Sequence, residues 1–240
     1  GETKAKAAIY SLAKKNIPEA LKILRADAVN GDVKAQYALG MVLGAMYEFG
    51  QGISQDDKEA IKWYQLAAEQ GESRALLFLG FMYDFGQGVP EDDREAFKWY
   101  QLAAEQGYAE AKNNIYVLAK NDFPEALTVL LNDAKKGVAV AQFTLGSMYE
   151  IGEGVLKDGK EAVKWYLLAA EQNDYRHAKN NIYNLAKMNV PEALTVLLND
   201  AEKDVAVAQF TLGSMYDIGQ GVPKDGKEAV KWYLLAAEQN

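Results

Sequence analysis

Residues 141–154 read AQFTLGSMYEIGEG, and 67 positions later residues 208–221 read AQFTLGSMYDIGQG. Two letters differ, Glu150 against Asp217 and Glu153 against Gln220. An enzyme seldom needs one site in tandem, whereas a structure that grows by stacking needs identical units. Within the stretch, Ala141, Leu145, Met148 and Tyr149 fall at i, i+4, i+7 and i+8, one face of a 3.6-residue period. Gly152 then stops the helix, as glycine does past a C-terminus. Downstream, Asp158 and Glu161 form a capping-box pattern. Ala162, Trp165, Tyr166, Ala169 and Ala170 make the apolar stripe of a second helix, with Lys164 and Glu171 facing water. The fourteen letters therefore predict the first half of a helix pair.

Sliding residues 107–173 onto 174–240 matches 55 of 67 positions, and each block holds a short unit followed by a long one. The amino-terminal half carries the same units less faithfully. Seven units follow one another without linkers: 1–31, 32–71, 72–107, 108–137, 138–173, 174–204 and 205–240. Capping signals recur in the long units at Asp56/Glu59, Asp92/Glu95 and Asp225/Glu228. Short units omit six loop residues and open their second helix with Pro18, Pro124 or Pro191, proline being suited to a first helical turn. One helix pair cannot bury both its faces, but stacked pairs share a continuous core. The expectation is an all-α array of about fourteen helices without a sheet, spanning residues 1–240 as one solenoid domain.

Composition narrows the function classes. With 49% apolar and 25% charged residues the chain can bury a substantial core. No run approaches the eighteen apolar residues of a membrane span. The net charge of −8 opposes binding to phosphate backbones. Without cysteine there is no disulfide, thiolate nucleophile or thiolate metal site, and cytosolic and exported settings both fit. The start, GETKAKAAIY, shows neither methionine nor an apolar signal core, as in a processed or trimmed form.

The motif residues resemble the Sel-one-like repeat, a branch of the tetratricopeptide superfamily. They are Ala141, Leu145-Gly146, Met148-Tyr149, Gly152, Gly154, Val155, Asp158, Ala162, Trp165-Tyr166 and Ala169-Ala170, with three further long units close to the same pattern. Short units depart from it, lacking Gly-x-Gly and placing Val129-Leu130 where Trp-Tyr is expected. The first long unit doubles Leu-Gly in AQYALGMVLGAMY, which should lengthen its first helix by about one turn. The resemblance implies a right-handed superhelix that binds proteins or peptides, without a cofactor and with no part in nucleic-acid binding or membrane insertion. Relatives of this kind serve as adaptors or, in bacteria, as immunity proteins that neutralise a secreted toxin such as a hydrolase. That favours a periplasmic or exported bacterial setting over the cytoplasm.

Motifs that could carry chemistry have structural readings. His177 is the sole histidine and has no second soft ligand, so a surface role is expected. The Gly-x-Gly pairs beginning at Gly50, Gly86, Gly152 and Gly219 link helices rather than a strand and a helix, so they read as turns with φ > 0. Trp63, Trp99, Trp165 and Trp232 fall on the packing stripe. No serine, histidine and acid constellation is visible, and no enzymatic activity is expected.

By the same resemblance the first helices line a concave side. Counted from Leu145 or its counterparts, the inward positions are Arg74, Leu77, Phe81 and Asp84, then Glu110, Asn113, Val117 and Lys120. They continue as Val140, Phe143, Ser147 and Glu150, then His177, Asn180, Asn184 and Lys187, and finally Val207, Phe210, Ser214 and Asp217. Asparagines can hold a peptide backbone through donor and acceptor together, and the phenylalanines can receive apolar side chains. Phe143 and Phe210 stand two residues before a core leucine, about 200° round the helix, so each ring either lines the groove or packs on the adjoining hairpin, and groove exposure is the expectation. The last inward positions alternate in sign except at Glu48 and Asp84, which predicts an acidic spot for a basic group of the partner.

Overall fold

The computed structural model describes residues 2–45, 57–172 and 176–239, and among them fourteen α-helices and no strand. The helices fall into two compact units, residues 1–118 and 119–240. The first holds α1 (Glu2–Ala13), α2 (Pro18–Val29), α3 (Val33–Ala45), α4 (Asp57–Glu69), α5 (Ser73–Asp84), α6 (Asp93–Glu105) and α7 (Ala109–Lys120), the last residues of α7 crossing the boundary. The second holds α8 (Pro124–Lys135), α9 (Ala139–Ile151), α10 (Gly159–Ala170), α11 (Arg176–Lys187), α12 (Pro191–Glu202), α13 (Ala206–Ile218) and α14 (Gly226–Ala237). Glu48, Asp56, Gly50 and Gly52 lie outside the described residues.

Each long hairpin closes on one contact. A Cβ placed on Gly146 would lie 2.5 Å from a Tyr166 ring carbon, and one on Gly80 2.4 Å from the ring of Tyr100. The same holds for Gly40 against Tyr64 at 2.7 Å and Gly213 against Tyr233 at 2.9 Å. The glycine of Leu-Gly thus leaves room for the tyrosine of Trp-Tyr to lie against the backbone of the first helix. Tyr100 and Tyr166 are fully buried there. This contact also fixes the register of the doubled Leu-Gly. Gly40 receives the Tyr64 ring, whereas a Cβ on Gly44 would meet only the hydroxyl, at 3.9 Å. Leu39-Gly40 therefore pairs with α4, and whatever extension follows Leu43-Gly44 falls among residues outside those described.

Loop chemistry follows the sequence. Asp92, Asp158 and Asp225 cap α6, α10 and α14, each accepting from two backbone N–H groups two and three residues on. Gly152 and Gly154 have φ of 90° and 66°. Gly154 is doubly constrained, because a Cβ there would meet the Ala119 carbonyl oxygen, as one on Gly221 would meet that of Ala186. In the short hairpins Pro18, Pro124 and Pro191 occupy the first turn as expected. Two residues before them Asn16, Asp122 and Asn189 take positive φ, a conformation that short polar side chains tolerate.

A glutamine clamp joins each short hairpin to the long one that follows. Gln36, Gln142 and Gln209 are buried, and their Nε2 groups donate to the carbonyls of Ala28, Ala134 and Ala201 at 3.1–3.2 Å. Those carbonyls lie in the last turns of their helices, where each also accepts from the backbone N–H of Gly31, Gly137 or Asp204. Each glutamine Oε1 accepts in turn from Gln70, Gln172 or Gln239, so one side chain ties three helices together.

Gly146→Ala should cost about 1–3 kcal/mol, because a rigid ring cannot yield to the added methyl group. Gly226→Ala, where a Cβ meets nothing within 4 Å, should be neutral or slightly stabilising. Urea unfolding of the two variants checks the contrast.

Candidate partner-binding surface

In the first unit, α5 carries Arg74, Leu77, Phe81 and Asp84. Leu77 departs from expectation: it is 4% exposed and belongs to the core, unable to meet a partner. The reason is a one-residue shift, since α5 places its ring at Phe78, which stacks on Tyr64 at 5.4 Å between centroids. Phe78 also contacts Tyr37 and Phe81, and Phe81 contacts Tyr100 and the exposed Phe85. The result is an aromatic ladder across α3 to α6. At the Tyr37 end the Arg74 guanidinium lies 4.5 Å from the ring centroid, held by Glu72 at 2.7 Å. Sequence reasoning passed over Tyr37, Phe78 and Phe85, although the FLGFMYDF spelling of 78–85 carries the signal. On α7, Glu110, Asn113 and Val117 are exposed. Lys120 is half-buried at its end.

In the second unit, α11 offers an open surface. His177, Asn180 and Asn184 are exposed at i, i+3 and i+7, with half-buried Lys187 one turn on. On α9, by contrast, Val140, Phe143, Ser147 and Glu150 are all half-buried. Phe143 packs on the Tyr166 ring at 5.4 Å and against the core cluster that includes α11 and α12. The expectation that it lines an open groove is corrected: 200° from the leucine stripe points it at the following hairpin. Phe210 makes the same contact with Tyr233 at 5.5 Å and is 60% exposed. Val207 and Asp217 are also exposed, and Ser214 is half-buried.

Two of the acidic positions at the ends of first helices, Asp84 and Glu150, are engaged inside their hairpins. The Tyr100 hydroxyl donates to Asp84 at 2.9 Å, and that of Tyr166 donates to Glu150. Short hairpins reverse the direction: Tyr10 and Tyr183 sit on first helices and donate to Asp27 and Asp200 on second helices, both at 2.8 Å. Burial, reinforced by the neighbouring carboxylate, pushes these tyrosine hydroxyls well above the ordinary range. Burial also raises the Asp84 carboxyl, against the Tyr100 hydrogen bond that lowers it; Asp93 and Glu91 add to the rise. The expected acidic spot thus has Asp84 turned to a structural partner, and Glu48 lies outside the described residues.

No group of three or more His, Cys, Asp or Glu among the described residues is arranged to hold a metal. No helix there is long and apolar enough to cross a membrane. Trp165 is buried, while Trp63, Trp99 and Trp232 are half-buried. What the surface offers is shape, exposed amides and aromatic edges, which suit recognition of another macromolecule.

The Sel1 repeat family matches residues 33–72, 73–108, 139–174 and 206–240, more than half of the chain. The chain belongs to the Sel1 repeat family. Its four matched repeats are the four hairpins closed by glycine and tyrosine. Over its whole length it is 30% identical to a Sel1 repeat protein from Oxalobacter formigenes, with a TM-score of 0.61 and 74% of that chain covered. It is 28% identical to a protective antigen of uropathogenic Escherichia coli that displays this fold, with a TM-score of 0.54 and 55% of that chain covered. A curated relative, chitin synthase regulatory factor 3 of Schizosaccharomyces pombe, is 37% identical over 112 residues, 43% of this chain and 12% of the relative. The chain therefore spans about an eighth of that relative's length. Similar proteins come from fungi as well as bacteria, so membership does not assign a bacterial setting or toxin neutralisation.

The tyrosine–carboxylate bonds give a pH signature. Because the folded chain holds these phenolic protons more tightly than the unfolded chain does, stability is complete below the ordinary tyrosine pKa of about 10 and falls as pH rises beyond it. Urea midpoints measured from pH 8 upward should decline above pH 10, and Tyr166→Phe should make that decline shallower. At pH 7, Asp84→Asn keeps an acceptor for Tyr100 and should be tolerated. Asp84→Leu strands the hydroxyl and should cost about 1–3 kcal/mol.

Proposed function

We propose that the chain is a non-enzymatic scaffold whose exposed first-helix surfaces bind a protein or peptide partner. The observation that carries this reading is where the two 67-residue blocks differ. Among the described residues, none of the twelve differing positions is buried in either copy. Packing has held the core constant: Ile115, Leu118 and Ala119 return as Ile182, Leu185 and Ala186, all buried. Three substitutions fall inside α7 and α11, one of them Ala109 against Arg176; the other two are on exposed positions two turns apart on one helix face, Glu110 against His177 and Val117 against Asn184. Burial places no demand on these exposed side chains, which leaves them free to differ and open to a partner. Adaptor-like work also agrees with a relative named as a regulatory factor of another enzyme.

A photo-crosslinking residue at Asn180 or Asn184 tests this. In lysate of the native host each should capture a discrete protein, whereas the same residue at Leu156, 91% exposed on a loop, should not. Equal labelling from all three sites, or none, would contradict the assignment. The exchange Asn184→Val should leave stability within about 0.5 kcal/mol, as exposed substitutions do, and should weaken capture.

A further inference from the structure

The aromatic ladder of the first unit has two ends. At one, the Arg74 guanidinium lies 4.5 Å from the Tyr37 ring centroid and 2.7 Å from Glu72, so an aromatic face and a carboxylate share one cation. At the other, Phe85 stacks on Phe81 with 6.2 Å between centroids and 22° between planes, and is 65% exposed. Phe81 in turn stands edge-on against the buried Tyr100 ring at 5.7 Å, so the exposed ring rests on a packed base. The α5/α6 hairpin lies between α4 and α7, inside the array. Its counterpart in α9, Ile151, is 56% exposed, so packing leaves this position open in both hairpins.

Acidic residues gather beside the ring because the α5/α6 loop folds back on the end of α5. The Gln87 N–H donates to the Met82 carbonyl at 2.8 Å, and the Asp92 N–H to that of Tyr83 at 2.9 Å. A Cβ on Gly86 would lie 3.5 Å from the Glu91 Cβ, which places Glu91 against the residue that follows Phe85. Residues 84–94 carry Asp84, Glu91, Asp92 and Asp93 against Arg94, a net charge of −3. The matching segments 150–160 and 217–227 carry −1 and 0. Lys157 and Lys224 stand where this loop has Glu91, and Gly159 and Gly226 where it has Asp93. Those loops keep the same aspartate cap with lysine and glycine in place, so closing the loop does not require the two acids. Asp84 Oδ2 accepts from Tyr100 and Asp92 caps α6, and Glu91 and Asp93 set the charge that distinguishes this loop.

We infer that Phe85, with Glu91 and Asp93, is a docking point for an arginine on an exposed segment of a partner protein. The guanidinium lies over the ring and faces the carboxylates, as Arg74 does between Tyr37 and Glu72 at the other end of the ladder. A planar guanidinium both stacks on an aromatic face and pairs with carboxylates, which a lysine does less well. This rests on the scaffold reading above and gives the chemistry of the partner at the first unit.

Fluorescence anisotropy of a fluorescein-labelled peptide, Gly-Ser-Arg-Leu-Arg-Ser-Gly, titrated with the 240-residue chain at low salt tests it. A twin with citrulline for both arginines keeps the shape and removes the charge. The arginine peptide should bind saturably below about 1 mM, and the twin about tenfold more weakly. Phe85→Ala and Glu91→Lys should each weaken binding about fivefold. Glu153→Lys makes the same change in net charge on the α9/α10 loop and should leave affinity within about twofold. Should Phe85→Ala lose its helical circular dichroism, Phe85→Leu keeps apolar bulk without the aromatic face and should show the same weakening. No saturable binding, a citrulline twin that binds equally well, or equal losses from Glu91→Lys and Glu153→Lys would each overturn the inference. Such a failure alongside capture from Asn180 or Asn184 removes this site alone, whereas failure of both experiments removes the scaffold reading with it.

Discussion

The fold rests on a glycine that a tyrosine ring needs empty. In every long hairpin the ring of the second helix lies against the first helix where Gly40, Gly80, Gly146 or Gly213 has no side chain. That approach sets the distance between the two helices and the register in which they meet. It also carries the tyrosine hydroxyl of Tyr100 and Tyr166 to an acid at the end of the first helix. The burial of an aromatic ring, worth several kcal/mol when truncation leaves a cavity, and a charge-assisted hydrogen bond are thereby obtained from one placement.

Short hairpins reach a similar closure by another route. Their tyrosine sits on the first helix and their acid on the second, as in Tyr183 and Asp200, and they dispense with the glycine. Alternating the two kinds places a short hairpin's helix end under a long hairpin's buried glutamine, as Ala134 lies under Gln142 and Ala201 under Gln209. The repeat of 67 residues is in this sense a pair of hairpins that interlock, and duplicating the pair duplicates the clamp along with the core.

Much of this was legible in the sequence because repetition exposes it. Copying fixes the helix period, the aspartate caps, the prolines at first turns and the positive-φ glycines, each of which depends on neighbours within a few residues. The glycine–tyrosine contact was visible as two motifs, Leu-Gly and Trp-Tyr, but not as one, since spacing along a chain does not say which residues meet across a hairpin. The surface was less legible. Leu77 and Phe143 were assigned to an open face by angle on a single helix, whereas their burial depends on what the adjoining helices bring. Phe78 replaced Leu77 on the aromatic ladder through a shift of one residue, which no count from Leu79 could reveal. His177, Asn180 and Asn184 are exposed, in agreement with a surface position on α11.

A double-mutant cycle on Gly146→Ala and Tyr166→Leu, read by urea unfolding, tests the central contact most directly. If the glycine is kept bare for the ring, the added methyl group should become tolerable once the ring is gone, giving a coupling of about 1–3 kcal/mol. Costs that simply add, within about 0.5 kcal/mol, would contradict the account and locate the demand for glycine elsewhere in the helix.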